Sequence, residues 1–421
     1  MAKSPAPSAS PVIATNEFVE RRQSVLKSLD GSVGVVFAGE GHEPRHGLWA
    51  SDPHFFYLTG IGEEAGAAVL FDPSHEDPAR RIVLFLRPLN PELERWDGYR
   101  EYLGGVLRDR FGFTTIMRTT ALPDMLSAAA RRAKKLSCLH SFANYNGPVS
   151  PDLTIFRKIA ERIPGVAIED RSLMLRTMRS VKSKGELTLM RRAIDITAAG
   201  FAQALKAIRP NAGERAVCLA IEDAYRAGGA SGPSGGPTAY NSIVGSGLNG
   251  TVLHYRANDG PTNSGELLVI DSGAQYLGYA ADITRTYPVS GKFDSTQADF
   301  YNLVLTAQAA SIKAAKPKAT LTDVNNATRA VFDKAGVLDG YWHGIGHHLG
   351  LQVHDADPGT ALAAGHVITI EPGLYLPDVK MGCRIEDDIL ITAKGNENLS
   401  AMIPKSIKEI EAGMREMGGR R

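Results

Sequence analysis

Cysteine is nearly absent, with 3 in 421 residues (Cys138, Cys218 and Cys383) and no pair at CxxC spacing. An odd, scattered set excludes a disulfide framework and a thiolate zinc site, and it suits a reducing compartment. An excess of one charge is missing too. Lys and Arg number 47 against 46 Asp and Glu, a formal net charge of +1, so nothing electrostatic points to DNA, RNA or an acidic membrane as partner. No run of about 18 apolar residues occurs, so no membrane-spanning segment is expected. HExxH is not found, which excludes the zincin arrangement. The glycine-rich "GGASGPSGGPTAYNS" lacks GK[ST] and is not a phosphate loop. The N-terminal "MAKSPAPSASPVIATNEF" has no continuous apolar core; it reads as a disordered tail over residues 1–15, not a signal peptide. The expected location is the cytoplasm.

What remains is a globular composition, 43% hydrophobic and 22% charged, in a chain long enough for two domains. A first helix begins near Asn16 or Glu17 and stops at Asp30-Gly31. The runs "GVVFAG", "FFYLTG", "AGAAVLFDP" and "RRIVLFL" read as strands, and they alternate with helical stretches such as "LPDMLSAAARRAKKL". Residues 16–175 therefore form an α/β domain. The texture changes at the basic segment near Arg176, where a helix follows with Glu186 in its first turn. Beyond it, "ELLVIDSGAQYLGYAADITRTYPV", "HVITIEPGLYL" and "CRIEDDILIT" read as strands joined by short turns around two helical stretches. Residues 176–421 are accordingly an α+β domain with antiparallel strands.

The chemistry gathers in those later strands. Asp271 ends "LLVID", Asp282 stands in "YAADITRT", Glu371 follows "VITI", and Glu386 lies within "CRIEDDILI". Singly, each is an ordinary strand-end carboxylate. Together they are costly to bury unless cations neutralise them. Four carboxylates and one imidazole are the inventory of a dinuclear site, and oxygen-rich ligation favours Mn²⁺, with Fe²⁺, Co²⁺ or Zn²⁺ as substitutes. The imidazole comes from "YWHGIGHHLGLQVHD", where the residues alone leave His347 and His348 as equal candidates.

The segments "IDSG", "DITRT", "HGIGHHLG", "EPGLY" and "RIEDD" together resemble the metal-binding signature of the M24 metallopeptidases, the pita-bread enzymes. "FFYLTGIGEEAGAAVLFDP", "ERWDGYR" and "YNSIVGSGLNGTVLHYRAND" are similar to the aminopeptidase P branch in particular. The resemblance implies an α+β pita-bread catalytic domain behind a smaller N-terminal α/β domain. It implies five ligands to two divalent ions, namely Asp271, Asp282, His347, Glu371 and Glu386. Glu371 would also handle the proton of the nucleophile. His254 and His354 would act on the tetrahedral intermediate and the leaving nitrogen. His343 would wall the proline ring, and His348 matches no functional position. Arg384 would hold the substrate, or else pair with Asp387 or Asp388. Trp96 matches a tryptophan that approaches the active site in relatives, or is a packed aromatic.

The implied activity is a metal-dependent Xaa-Pro aminopeptidase acting on proline-containing peptides, in an assembly of two or four copies. Xaa-Pro is a tertiary amide without N–H, so peptidases that need that donor handle it poorly. An Xaa-Pro dipeptidase (prolidase) would share the site. A catalytically dead pita-bread binding protein is disfavoured by the intact ligand set, as is metal-free creatinase. Methionine aminopeptidase lacks a comparable N-terminal domain.

Overall fold

A computed structural model describes residues 13–40, 49–142, 147–232 and 236–418. Its contacts divide the chain after Arg179. Most of the tail expected over residues 1–15 lies outside the described residues, and Thr15 already opens the first helix.

The N-terminal unit runs α1 (Thr15–Ser28), β1 (Val33–Phe37), α2 (Pro53–Thr59), β2 (Ala68–Phe71), β3 (Ile82–Leu86), α3 (Pro91–Asp97), α4 (Gly105–Phe111), β4 (Thr115–Arg118), α5 (Leu122–Ala133), β5 (Lys135–Cys138), α6 (Pro151–Ala160) and β6 (Ala167–Asp170), and closes on α7 (Ser172–Ser180). Its six strands form one sheet in the order β4-β3-β2-β1-β5-β6. The β1–β2 and β2–β3 pairs are antiparallel; β3–β4, β1–β5 and β5–β6 are parallel. Val35, Leu70 and Phe85 from the sheet and Leu126, Ala130 and Phe156 from the helices share one apolar core. "FFYLTG" is a helix, not the strand its composition suggested. Asp52 caps it by accepting from His54 and Phe55 N–H, Pro53 fits its first turn, and Gly60 ends it at φ 69°. The buried His54, Phe55, Tyr57 and Leu58 lie at helical spacing on one face. Start and stop signals here outweigh aromatic β-propensity.

The second unit begins with α8 (Lys184–Ala207) and α9 (Glu214–Ala227), followed by β7 (Ile243–Ser246), β8 (Leu267–Asp271), β9 (Gln275–Tyr276), β10 (Tyr279–Ala280) and β11 (Thr284–Pro288). Helices α10 (Ser295–Ala314) and α11 (Leu321–Lys334) come next. Then follow β12 (Val367–Ile370), β13 (Gly373–Leu376), β14 (Met381–Arg384), β15 (Asp387–Ile391), β16 (Asn396–Asn398) and α12 (Ile407–Gly418). The strands pair β11-β8-β7, β10-β9, β12-β15-β16 and β13-β14, all antiparallel. Capping boxes start three of the helices: Ser183 with Glu186, Asp294 with Gln297, and Thr320 with Asp323. Ile345, Ile368, Ile370, Ile389 and Ile391 pack with Val324 and Leu362 beneath β12 and β15. Among the described residues no helix is long and apolar enough to cross a membrane.

Candidate metal centre

Sheet register brings the acidic residues together. In the β8–β11 pair, Asp271 lies opposite Thr284, so Asp282, two residues before Thr284, reaches the same end. The intervening hairpin closes tightly: Ser272 N–H donates to Ile283 O at 3.1 Å, and Ala281 N–H donates to Ala274 O at 3.0 Å. Any Cβ on Gly273 would stand 1.7 Å from Ala281 O, which explains the glycine of "IDSG". Glu386 occupies the step between β14 and β15, and its N–H donates to Thr284 O at 3.0 Å. Glu371 follows β12, tied by its N–H to Ile345 O at 2.9 Å. His347 is held beside that strand by reciprocal bonds with Thr369, at 2.9 and 3.1 Å. Gly346 permits this approach, because at φ 153° a Cβ there would meet Thr369 O at 2.2 Å.

The result is one cluster. Ligand atoms of Asp282, His347 and Glu386 all lie within 4.8 Å of one another. His347 Nε2 is 3.5 Å from both Asp282 and Glu371. Its Nδ1 faces His348 O at 3.1 Å; donating there leaves Nε2 with a lone pair for a metal. Asp271 joins through Tyr240, whose hydroxyl sits 2.5 Å from an oxygen of Asp271 and of Asp282. One phenolic proton cannot serve two carboxylates. Among the described residues, Arg384 and His347 are the cations that offset the gathered acids, and the electrostatics reflect that shortage. Burial, with the charge of Asp282 next, holds the Glu386 carboxyl well above the usual range. Burial lifts Glu371 to about 7 against the pull of His347. Asp271 is raised by burial although Arg384 opposes it. A buried set of hard oxygen donors with one imidazole and too few cations fits divalent metal ions.

Around this cluster the other expected residues separate. His343 Nδ1 lies 2.8 Å from Gly344 O, so Nε2 accepts from the Tyr375 hydroxyl at 2.9 Å. Burial and the nearby Arg384 lower His343 to about 4, so it is neutral at pH 7. His354 lies against His347, with ring centroids 4.0 Å apart and tilted by 36°, and is exposed, as is His254. His348 is buried against His366 and makes a bridge to Ile368. Arg384 is buried and bonded to Asp271 at 2.7 Å, Tyr375 at 2.8 Å and Thr284 at 3.2 Å. Neither Asp387 nor Asp388 pairs with it; Asp387 pairs with Arg285 and Lys405 instead. Trp96 lies on α3 of the N-terminal unit, 86% exposed, and is no packed core aromatic.

Sequence reasoning passed over Tyr240, Tyr375, Thr284 and Thr369. Thr284 donates to Glu386 at 2.7 Å and Thr369 to Glu371 at 3.3 Å. Each stands inside or beside a motif already singled out, so adjacency to a ligand was the available signal.

A pH effect follows for the metal-stripped protein. His347 is held up at about 9, mainly by Asp282 and Glu371 against burial. A raised histidine stabilises the fold fully below its unfolded value of about 6.5, and that contribution is lost as pH rises through 9. A metal bound at Nε2 would displace the same proton. The Tm gap between Mn²⁺-loaded and stripped protein is therefore expected to widen from pH 7 to pH 9; a constant gap in calorimetry would show that His347 is not in the site.

The chain matches the model of metallopeptidase family M24 over residues 188–393 and that of the aminopeptidase P N-terminal domain over residues 18–138. The Xaa-Pro aminopeptidase of Haemophilus influenzae is 34% identical, across 94% of this chain and 96% of that protein. Aminopeptidase PepP of Pseudomonas aeruginosa superposes with a TM-score of 0.84 at 28% identity, across 97% of this chain and 100% of that one. A zinc-substituted aminopeptidase P of Escherichia coli, solved with product, gives 0.84 at 29% identity, across 96% and 99%. The acidic cluster, the fold and a relationship that runs nearly end to end agree: the chain belongs to metallopeptidase family M24, whose chemistry uses divalent metal ions, and carries the aminopeptidase P N-terminal domain.

Proposed function

We propose that this chain is a metal-dependent Xaa-Pro aminopeptidase, releasing the first residue of peptides whose second residue is proline. The observation that carries this reading is the convergence of Asp282, His347 and Glu386 on one point, with Asp271 and Glu371 beside them, in a chain matched nearly end to end by an Xaa-Pro aminopeptidase.

In this reading Asp271, Asp282, His347, Glu371 and Glu386 hold two divalent ions, Mn²⁺ by preference because the donors are mostly hard oxygens. When bound, the ions supply Lewis acidity that lowers the pKa of a water and polarises a carbonyl. The chain's own groups do the rest. Glu371, half-buried beside His347, takes the proton of the attacking water. His254 and His354, both exposed to an incoming peptide, donate to the developing oxyanion and to the leaving proline nitrogen. His343, neutral and fixed by Tyr375, offers a ring face to the proline. Arg384, bonded to Asp271 and Tyr375, holds the substrate at this end of the site.

An assembly of two or four copies suits the exposed Trp96, Tyr99 and Tyr102 around α3, which are 82–90% exposed. Three buried, unpaired thiols suit the cytoplasm.

The test compares Ala-Pro-Ala with Ala-Pro after metal removal and Mn²⁺ return. Free alanine from the tripeptide is the expected result. Turnover of the dipeptide alone would make the chain a prolidase, and cleavage of neither with any divalent ion would favour the non-catalytic binding protein.

A further inference from the structure

We infer that Glu214 is a positioning residue for His254: its buried carboxylate ties the segment 246–260 into the shape that presents this histidine to substrate. The inference rests on the aminopeptidase reading above.

His254 has no anchor of its own. Its side chain is exposed, and among the described residues it makes no hydrogen bond. It lies close enough to His343 and His354 to act on both electrostatically. A pendant imidazole of this kind stands wherever its backbone puts it. That backbone has little regular structure: after β7 it makes one 3-10 turn, Gly247–Thr251, and is otherwise loop.

Four donors from the start, middle and end of this segment converge on Glu214. Oε1 accepts from Ser246 N–H at 2.8 Å and from Asn249 Nδ2 at 2.9 Å. Oε2 accepts from the Tyr255 hydroxyl at 2.8 Å and from Gly260 N–H at 2.7 Å. Tyr255 is the residue after His254. The second Asn249 amide proton reaches the Tyr255 oxygen at 3.0 Å, which closes a ring of hydrogen bonds. Glu214 N–H also donates to Gly260 O at 3.0 Å. The chain passes so close that a Cβ on Gly260 would lie 2.5 Å from Asn249 Nδ2 and 2.9 Å from Glu214 Oε2.

Glu214 is 0% exposed, and a carboxylate taken out of water needs its lone pairs met. Here all four donors come from the loop that bears His254. The carboxylate itself opens α9, a 14-residue helix packed along α8. The loop is thus referenced to a rigid element, and its histidine with it. A displacement of about 1 Å at a catalytic group can cost on the order of a hundredfold in rate.

The experiment uses the full chain loaded with Mn²⁺ and compares Glu214→Gln, His254→Ala and the double variant. Glutamine keeps the shape but turns one acceptor into a donor facing donors. Glu214→Gln is expected to lower kcat on Ala-Pro-Ala about 10- to 100-fold, with KM within about threefold and metal content unchanged. Amide hydrogen exchange should quicken over 246–260 and not elsewhere. In the His254→Ala background the same change should cost little more, because Glu214 acts through His254. Losses that multiply in the double variant, or unchanged kcat and exchange in the single one, overturn the assignment. If Glu214→Gln does not fold, Tyr255→Phe supports the same cycle, with a loss of about 3- to 10-fold expected. Wild-type protein inactive on every Xaa-Pro peptide sinks the aminopeptidase reading and this role together. An active wild type with multiplying losses sinks only the role.

Discussion

Glu386→Ala should abolish peptide hydrolysis and metal binding while leaving the metal-stripped fold at least as stable as the wild type. Both halves come from the same crowding. Glu386 is buried among Asp282, Glu371 and Asp271, and its carboxyl is held far above its ordinary range. A group in that condition destabilises the stripped protein at neutral pH, where it must either ionise against its neighbours or hold a proton it would release in water. Removing it relieves that repulsion at the cost of one hydrogen bond from Thr284. In the proposed reading it also removes a ligand of the metal ions. Metal ions contribute several kcal/mol to transition-state stabilisation, and at about 1.4 kcal/mol per factor of ten the loss is a thousandfold or more. The decisive comparison is thermal unfolding with and without Mn²⁺. Wild-type Tm rises with added ion by mass action, whereas the variant's does not. A variant that kept its activity, or whose stripped form unfolded well below the wild type, would contradict this account of the site.

Arg285→Met should be the most destabilising single change near the centre, by about 3–5 kcal/mol. Arg285 is fully buried, and its three nitrogens donate to five acceptors. Nε reaches Pro404 O at 3.1 Å; Nη1 reaches Thr284 O at 2.9 Å and Glu386 O at 2.6 Å; Nη2 reaches Asp387 at 2.8 Å and Ile403 O at 3.0 Å. One guanidinium thus joins the backbone at two candidate motifs to the segment before α12. Methionine fills the volume and leaves Asp387 with Lys405, Ser400 and Gln308 as side-chain partners. Lysine should fail almost as badly, because a point charge cannot replace a five-donor fork. Asp387 adds a pH signature. Arg285 and Lys405 hold it near 2 against burial, so its contribution is present above about 4 and is lost as pH falls through 2. Urea unfolding of both variants checks the magnitude; a loss below about 1 kcal/mol would mean that the five bonds do little for stability.

The ligand candidates were legible because their spacing is local to short apolar runs. Asp271, Glu371 and Glu386 each stand at the end or break of a strand; one such carboxylate is ordinary, but the set together is costly to bury without cations. The strands themselves could be read from brief β-branched stretches between turn residues. "FFYLTG" was misread because its aromatic content resembles a strand, while Asp52, Pro53 and Gly60 impose a helix.

What the amino-acid order determined by itself was the chemistry on offer: four acids and a choice of imidazoles, no thiolate site, two domains. The residues alone left His347 and His348 equal and the resemblance pointed to His347; only the tertiary structure gives a physical reason for the difference. Adjacent residues in extended chain point opposite ways, so the bonds to Thr369 turn one toward Asp282 and bury the other against His366. The same holds for Arg384, whose partner Asp271 lies 113 positions away, and for Tyr240 and Glu214, which act across 31 to 46 positions. Such pairs exist only once sheet register and helix packing have brought distant segments within 3 Å, and no local pattern of side chains encodes that distance.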